Sequence, residues 1–343
     1  MPRSKSYTLY FILLVVVLLA CFMVNISFGS VSIPLTEVVN AILGSATEKA
    51  SWAYIIWDYR IPKALTAILV GSGLALSGLL MQTLFRNPLA GPFVLGISSG
   101  ASLGAAILIM GASLFNGIFA FGIVNDISLA LASSIGSFLV LLAVMLVASR
   151  VKDTMALLII GLMFGSLTAA VVSVLSYFST AEKLQQYIYW SFGSLGNLSW
   201  QQLLLLFIII VIGLFISIIS IKPLNSLLLG ENYARSMGVN IKRSRYSIII
   251  ATGLLAGGAS AFAGPIAFIG LAVPHLTRQI FNTTDHRILL PAVMVYGAIL
   301  MLICDTIAQW PTSANVLPIN AITSIIGAPI VIWLLVRKRK MVF

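Results

Sequence analysis

Unbroken apolar runs, each about 20 residues long and repeated from one end of the chain to the other, most constrain this fold. One of them, Leu203–Ile219, reads LLLLFIIIVIGLFISII. Its apolar residues do not alternate with polar ones, which argues against a half-buried strand, and its length suits a helix crossing a bilayer. Lipid offers no partner to backbone N–H and C=O groups, so a spanning segment must satisfy them internally, as a helix does. Of the 343 residues 60% are hydrophobic and 8% charged. A soluble domain carries about 25% charged residues, so this chain lacks the polar surface to face water all round. The expected fold class is all-α: a polytopic membrane protein forming a single transmembrane domain over residues 1–343.

The runs predict about ten spans, roughly 7–28, 61–83, 93–113, 127–148, 155–178, 200–221, 246–262, 266–280, 288–308 and 317–336. Only Gly264-Pro265 separates the seventh from the eighth. The net charge of +11 would suit a nucleic-acid partner, but its distribution has another meaning. If successive spans alternate in direction, Lys49, Arg60, Lys63 and Lys183 fall on the face opposite the N-terminus. The other sixteen of the 20 Lys and Arg fall on the N-terminal face. The positive-inside bias then places both termini in the cytoplasm, and the excess charge is a topology signal. Arg3, Lys5 and Leu18-Leu19-Ala20-Cys21 loosely resemble a lipoprotein signal, but the apolar run continues past Cys21 and nine further spans follow. Cys21 and Cys304 both lie within spans, so no disulfide is expected.

Small residues recur in the second and third spans: Gly71, Gly73, Ala75, Ser77 and Gly78, then Ser98, Ser99, Gly100, Ala101 and Gly104. Such residues let helix backbones approach closely, and they can also line a path. Charge inside the spans, which a proton- or ion-driven carrier needs, is nearly absent; Asp126 and Asp305 fall near span ends. The sequence carries no Walker A motif, no HExxH and no clustered metal ligands. His275 and His286 are single histidines at span ends, where a helix-end hydrogen bond explains them better than a metal does. Active transport would therefore need an external motor.

Two interruptions stand out on the basic face. The first is Arg86-Asn87-Pro88-Leu89-Ala90-Gly91-Pro92, which cannot continue a helix because of its two prolines and its glycine. The second is the longest basic-face loop, 228–240, which reads as a short helix with Glu231 in its first turn and Gly238 as a left-handed stop. Tyr233, Ala234 and Met237 are expected on one face of it. That face would rest either on lipid or on a protein partner.

Five ordered segments carry a family resemblance: RIPKALTAILVGSGLALSGLLMQTLFRNPLAGPFVLGISSGASLG over 60–104, GENYARSMGVN over 230–240, AFAGPIAFIGLAVPHLTR over 261–278, TDHRILLPA over 284–292 and LPINAITSIIGAPIVIWLL over 317–335. Nearly end to end, the chain resembles the FecCD-type permeases, the membrane subunits of ABC importers for iron-siderophores, haem and cobalamin. The resemblance implies the ABC type II importer permease fold with ten helices per subunit in the bacterial cytoplasmic membrane. It also implies a homodimer, or a heterodimer with a related permease, around a central path. Two cytoplasmic ABC ATPase subunits and an extracytoplasmic binding protein would complete the assembly. The chain itself would be non-catalytic and bind no cofactor, ATP being used by the ATPase partner.

The same resemblance assigns Asn87 and Leu89 to an inner gate, with Asp153 and Thr154 at a companion constriction. It assigns Gly230, Glu231, Ala234, Arg235, Met237 and Gly238 to coupling with the ATPase, and Arg60 and Lys63 to docking of the binding protein. Headgroup anchoring is the alternative for that basic pair. Gln309 stands where relatives often place an arginine, and Gly91 where many place an acidic residue. Trp190–Gly196 resembles a short outer helix near the path, although an interfacial aromatic belt would also explain its rings. A secondary transporter would show inverted repeats and intramembrane ion ligands; a membrane enzyme would show polar groups converging at one depth. Neither pattern is evident. Among the cargoes of the family an iron chelate is favoured, because it is the commonest.

Overall fold

The computed structural model describes residues 7–29, 31–111, 126–148, 154–196, 198–309 and 316–336. Every regular element among them is helical. In chain order the helices are α1 (Thr8–Ser27), α2 (Leu35–Ile42), α3 (Ala50–Tyr54), α4 (Ile61–Leu84), α5 (Ile97–Met110), α6 (Asp126–Ala148), α7 (Thr154–Tyr177) and α8 (Ala181–Ser191). They continue with α9 (Trp200–Ile219), α10 (Ile221–Leu228), α11 (Glu231–Ser236), α12 (Ile241–Ala263), α13 (Ile269–Phe281), α14 (His286–Ala308) and α15 (Ile319–Val336). A helix occupies each of the ten expected spans. Seven helices among the described residues are long and apolar enough to cross a membrane, while α5 and α15 are shorter apolar helices.

The boundaries depart from expectation where local backbone chemistry intervenes. The third span does not start at 93, because Pro92–Leu95 forms a single 3-10 turn and Gly96 then adopts φ 72 before α5 begins. The seventh starts earlier than 246: Asn240 caps α12 by accepting a hydrogen bond from the Arg243 N–H at 3.0 Å, so the basic stretch is already helical. The eighth, α13, has 13 residues. At 1.5 Å per residue it extends about 20 Å, less than the bilayer's apolar thickness. The second span is longer than expected. A π-helical stretch, Ile55–Arg60, joins α3 to α4, so one helix runs without a break from Ala50 to Leu84.

Helix α4 is the centre of the bundle and is buried along nearly its whole length. It packs against α9, α12, α13 and α14. With lipid outside as apolar as the side chains inside, close van der Waals contact has to hold the helices together. Glycines permit that contact. A Cβ placed on Gly71 would lie 2.4 Å from the Gly297 carbonyl oxygen of α14, and one on Gly78 would lie 1.7 Å from the Gly270 oxygen of α13. Likewise α5 meets α6, where a Cβ on Gly100 would lie 2.6 Å from Gly136 O and one on Gly104 would lie 2.0 Å from Ala132 O. These small residues are helix-packing positions. By contrast α1, α7 and α9 expose most of their apolar side chains, as helices at a lipid-facing rim do.

Replacing Gly78 by alanine should therefore force α4 and α13 apart. The expected loss is about 3 kcal/mol, at the upper end of overpacking penalties, read as a lowered thermal midpoint of the purified protein. Gly257→Ala in α12 is the matched control. Its Cβ would have no neighbour closer than 3.6 Å. It should leave the midpoint unchanged or raise it slightly, since alanine favours the helix.

Candidate functional site

Most of the residues singled out in the sequence lie toward the two ends of α4. On the basic face the helix closes on Arg86, whose φ of 46 is a left-handed turn. The Arg86 N–H donates to Thr83 O at 3.2 Å and the Asn87 N–H to Gln82 O at 3.1 Å, which caps the last carbonyls of α4. Asn87 Oδ1 then accepts the Leu89 N–H at 2.9 Å, and the Ala90 N–H reaches Asn87 O at 3.1 Å. Asn87 thus shapes the turn with its own side-chain oxygen. Leu89 is 44% exposed and projects from the protomer. The turn presents one apolar side chain on a stiff, proline-bracketed frame. Of the companion pair, Asp153 lies outside the described residues and Thr154 is the first residue of α7.

A polar network secures the same end. His286, fully buried at the start of α14, lies 2.9 Å from Thr83 Oγ1 through Nε2 and 2.7 Å from Asn225 Oδ1 through Nδ1. The Asn225 amide donates to Asp285 Oδ1 at 2.8 Å, so α4, α10 and α14 share one set of hydrogen bonds. Burial pushes the Asp285 carboxyl up. The Arg287 N–H, the Asn225 amide and the charges of Arg287 and His286 outweigh that effect and hold it below its ordinary range. His275 of α13 reaches Pro88 O at 2.8 Å. His286 makes the helix-end contact expected of it, whereas His275 sits midway along α13 and reaches the turn that follows α4.

Next to this turn lies α11. Glu231 pairs with Arg245 of α12 at 3.0 Å, which fixes the short helix to the bundle. Gly230 (φ 105) and Gly238 (φ 79) bound it, each in a conformation that favours glycine. A Cβ on Gly230 would lie 3.6 Å from Arg86 Nη1, so the start of α11 abuts the first residue of the proline-bracketed turn. One expectation is corrected here. Ala234 is fully buried against the bundle, and the outward face is Leu229, Tyr233 and Met237, which are 63%, 52% and 47% exposed. Arg235 is exposed as well.

On the opposite face the two basic residues are turned inward. Arg60 is 8% exposed, and its guanidinium donates to the carbonyls of Ile26, Ser27 and Val31, closing the exit of α1. Lys63 Nζ lies 3.2 Å from Asp305 Oδ1. Asp305, also buried, accepts the Asn25 amide at 2.9 Å and the Gln309 amide at 2.5 Å through Oδ2. These cations therefore differ from the free, outward-pointing pair that their scarcity suggested. Their positive charge answers an internal carboxylate and internal carbonyls. Asn25, a lone amide in an apolar run, was the sequence signal for this cluster, because an uncompensated amide is costly at that depth. Beside the cluster a cavity of about 460 Å³ opens between Lys63, Phe192, Leu195 and Leu317.

Helices of spanning length packed through glycine around one buried central helix define a multi-span membrane protein. The profile of the FecCD transport family matches residues 17–337. The vitamin B12 import system permease protein BtuC of Klebsiella pneumoniae subsp. pneumoniae is 40% identical over 285 residues, 83% of each chain. The protein of the same name from Salmonella typhi is 38% identical over 286 residues, 83% of this chain and 84% of its own. A solved structure described as a metal-chelate type ABC transporter in an inward-facing conformation superposes with a TM-score of 0.84 at 31% identity, covering 97% of this chain and 100% of that one. The chain belongs to the FecCD transport family and is the permease of an ABC importer.

Removing one member of a buried ion pair strands the other. Asp305→Leu should cost about 3 kcal/mol by leaving Lys63 unanswered, and combining it with Lys63→Met should lose less than either Asp305→Leu or Lys63→Met alone. Thermal midpoints of the three variants check this. Additive losses would show that the pair contributes no coupling.

Proposed function

We propose that the chain forms the translocation path of an ATP-driven importer of a metal-bearing chelate in the bacterial cytoplasmic membrane, with cobalamin as its cargo. The observation that carries the cargo is the 40% identity, over most of both chains, to a vitamin B12 import permease. It favours cobalamin over the iron chelate expected from family frequency alone. The chain is non-catalytic and acts as one of two permease copies beside two ATPase subunits. Its basic face is cytoplasmic, by the positive-inside bias.

The exposed Leu229, Tyr233 and Met237 form the contact for the ATPase, and Gly230, Glu231, Arg235 and Gly238 hold that contact in place. Glu231 does so through its pair with Arg245. Since the start of α11 abuts Arg86, movement of α11 reaches the Asn87–Leu89 turn directly. Leu89 from each protomer closes the cytoplasmic end, and Thr154 lies at the start of a companion helix. The ATPase biases two conformations of the permease by binding them unequally. The binding protein docks on the opposite face, where Arg60 and Lys63 shape the surface from beneath.

The cargo is tested in vesicles holding the permease, its ATPase and its binding protein. ATP-dependent accumulation of cobalamin, with none of a ferric siderophore and no need for an ion gradient, is the expected result. Accumulation of the siderophore instead would restore the iron-chelate reading. Met237→Glu should place an unpaired charge in the ATPase contact and lower ATP-coupled uptake at least tenfold, the scale of a buried charge left unpaired. Co-purification of the ATPase and uptake rates measure it, and unchanged values would move the contact elsewhere.

A further inference from the structure

The turn Asn87–Gly91 has a well-defined shape, but its shape does not fix its place in the bundle. Three contacts with α13 do. The ring of Pro92, which ends the turn, packs on Gly270, where an added Cβ would lie 2.8 Å from Pro92 Cδ. Gln82, fully buried in the last turn of α4, donates to Leu271 O at 3.2 Å and accepts from Arg278 Nη1 at 2.8 Å, so both ends of its amide meet α13. The third contact is His275 Nε2 to Pro88 O, at 2.8 Å.

That last bond has a definite sense. A carbonyl oxygen only accepts, so Nε2 carries the proton and donates. Its acceptor lies between Asn87 and Leu89 in sequence, at the centre of the turn, whereas the Gln82 and Pro92 contacts lie on either side of it. His275 is 9% exposed and sits one residue after Pro274, on the part of α13 nearest the turn. No other side chain among the described residues bonds the Pro88 carbonyl.

We propose that His275 is a positioning residue of the inner gate. By holding the Pro88 carbonyl it couples the turn to α13 and sets where Leu89 stands in each conformation. The proposal rests on the reading of this turn as the gate. It differs from that reading in assigning the gate's position to a helix that carries no gate residue.

The test uses the assembled transporter in vesicles, with Leu89→Cys in both permease copies and crosslinking measured without nucleotide and with trapped ATP. Three backgrounds are compared: otherwise unchanged, His275→Gln, whose amide can still donate to Pro88 O, and His275→Met, which is of similar length and has no donor. The unchanged and His275→Gln backgrounds should crosslink in one state and not in the other. In His275→Met the ratio between states should fall by about tenfold, the scale of one hydrogen bond, with cargo moved per ATP falling in step. A merely structural histidine would lower the amount of folded complex in both variants and leave the ratio intact.

Persistence of the full ratio in His275→Met, or its equal loss in His275→Gln, overturns the proposal. If the unchanged background shows no state dependence, the gate reading fails and the proposal fails with it. If that background does show it and His275→Met matches it, only the positioning role is lost. Should His275→Met not assemble, His275→Asn replaces it. That amide is too short to reach Pro88 O, and the same contrast with His275→Gln decides.

Discussion

Everything in this structure depends on how closely α4 can approach its neighbours. In lipid, apolar area does not by itself drive helices together, so the bundle coheres through short-range contact. At Gly71 and Gly78 the backbone of α4 meets the backbones of α14 and α13 with no room for a methyl group. Those contacts set the positions of both ends of α4. They bring Gln82 within reach of Arg278, Thr83 within reach of His286, and Lys63 within reach of Asp305.

The polar groups follow a consistent rule. In the middle of the bundle the described side chains bond mainly to their own helix, as Ser77 does to Leu74 O and Ser166 to Leu162 O, with Ser72, which reaches Met294 O of α14, an exception. Bonds between distant helices concentrate toward the ends, where the backbone leaves carbonyls and N–H groups without helical partners. Arg60 answers three such carbonyls on one face, and His275 answers one on the other. Charge at these ends serves first to finish the fold. Only what remains exposed, as at Leu229, Tyr233 and Met237, is left to meet a partner.

The helices themselves were legible in the sequence because apolar runs of spanning length leave few alternatives. Their ends were less so. A hydropathy run does not reveal that Gly96 and Phe268 take left-handed conformations, which shorten α5 and α13. The RNPLAGP turn could be read from its prolines, and α11 from its glycine borders. Which face of α11 points outward could not, since Ala234 and Leu229 exchange places once Glu231 pairs with a residue on another helix. Arg60 and Lys63 show the limit most plainly. Sequence exposes the scarcity of outer cations, but the direction of a long side chain depends on acceptors that are distant in the chain, such as Asp305, and on loop carbonyls near Val31.

The uninterrupted helix from Ala50 to Leu84 has a mechanical meaning. At 1.5 Å per residue its 35 residues extend about 50 Å, well beyond the apolar thickness of a bilayer. Arg60, about 15 Å in from the Ala50 end, ties it to the exit of α1, Gln82 ties the other end to α13, and the stretch between rests on close glycine contacts. A stiff rod held at its waist is a lever. A tilt of about 5° carries each tip of such a rod some ~2 Å, in opposite directions. A helix of this length can therefore carry a displacement from one face of the bundle to the other with its sign reversed.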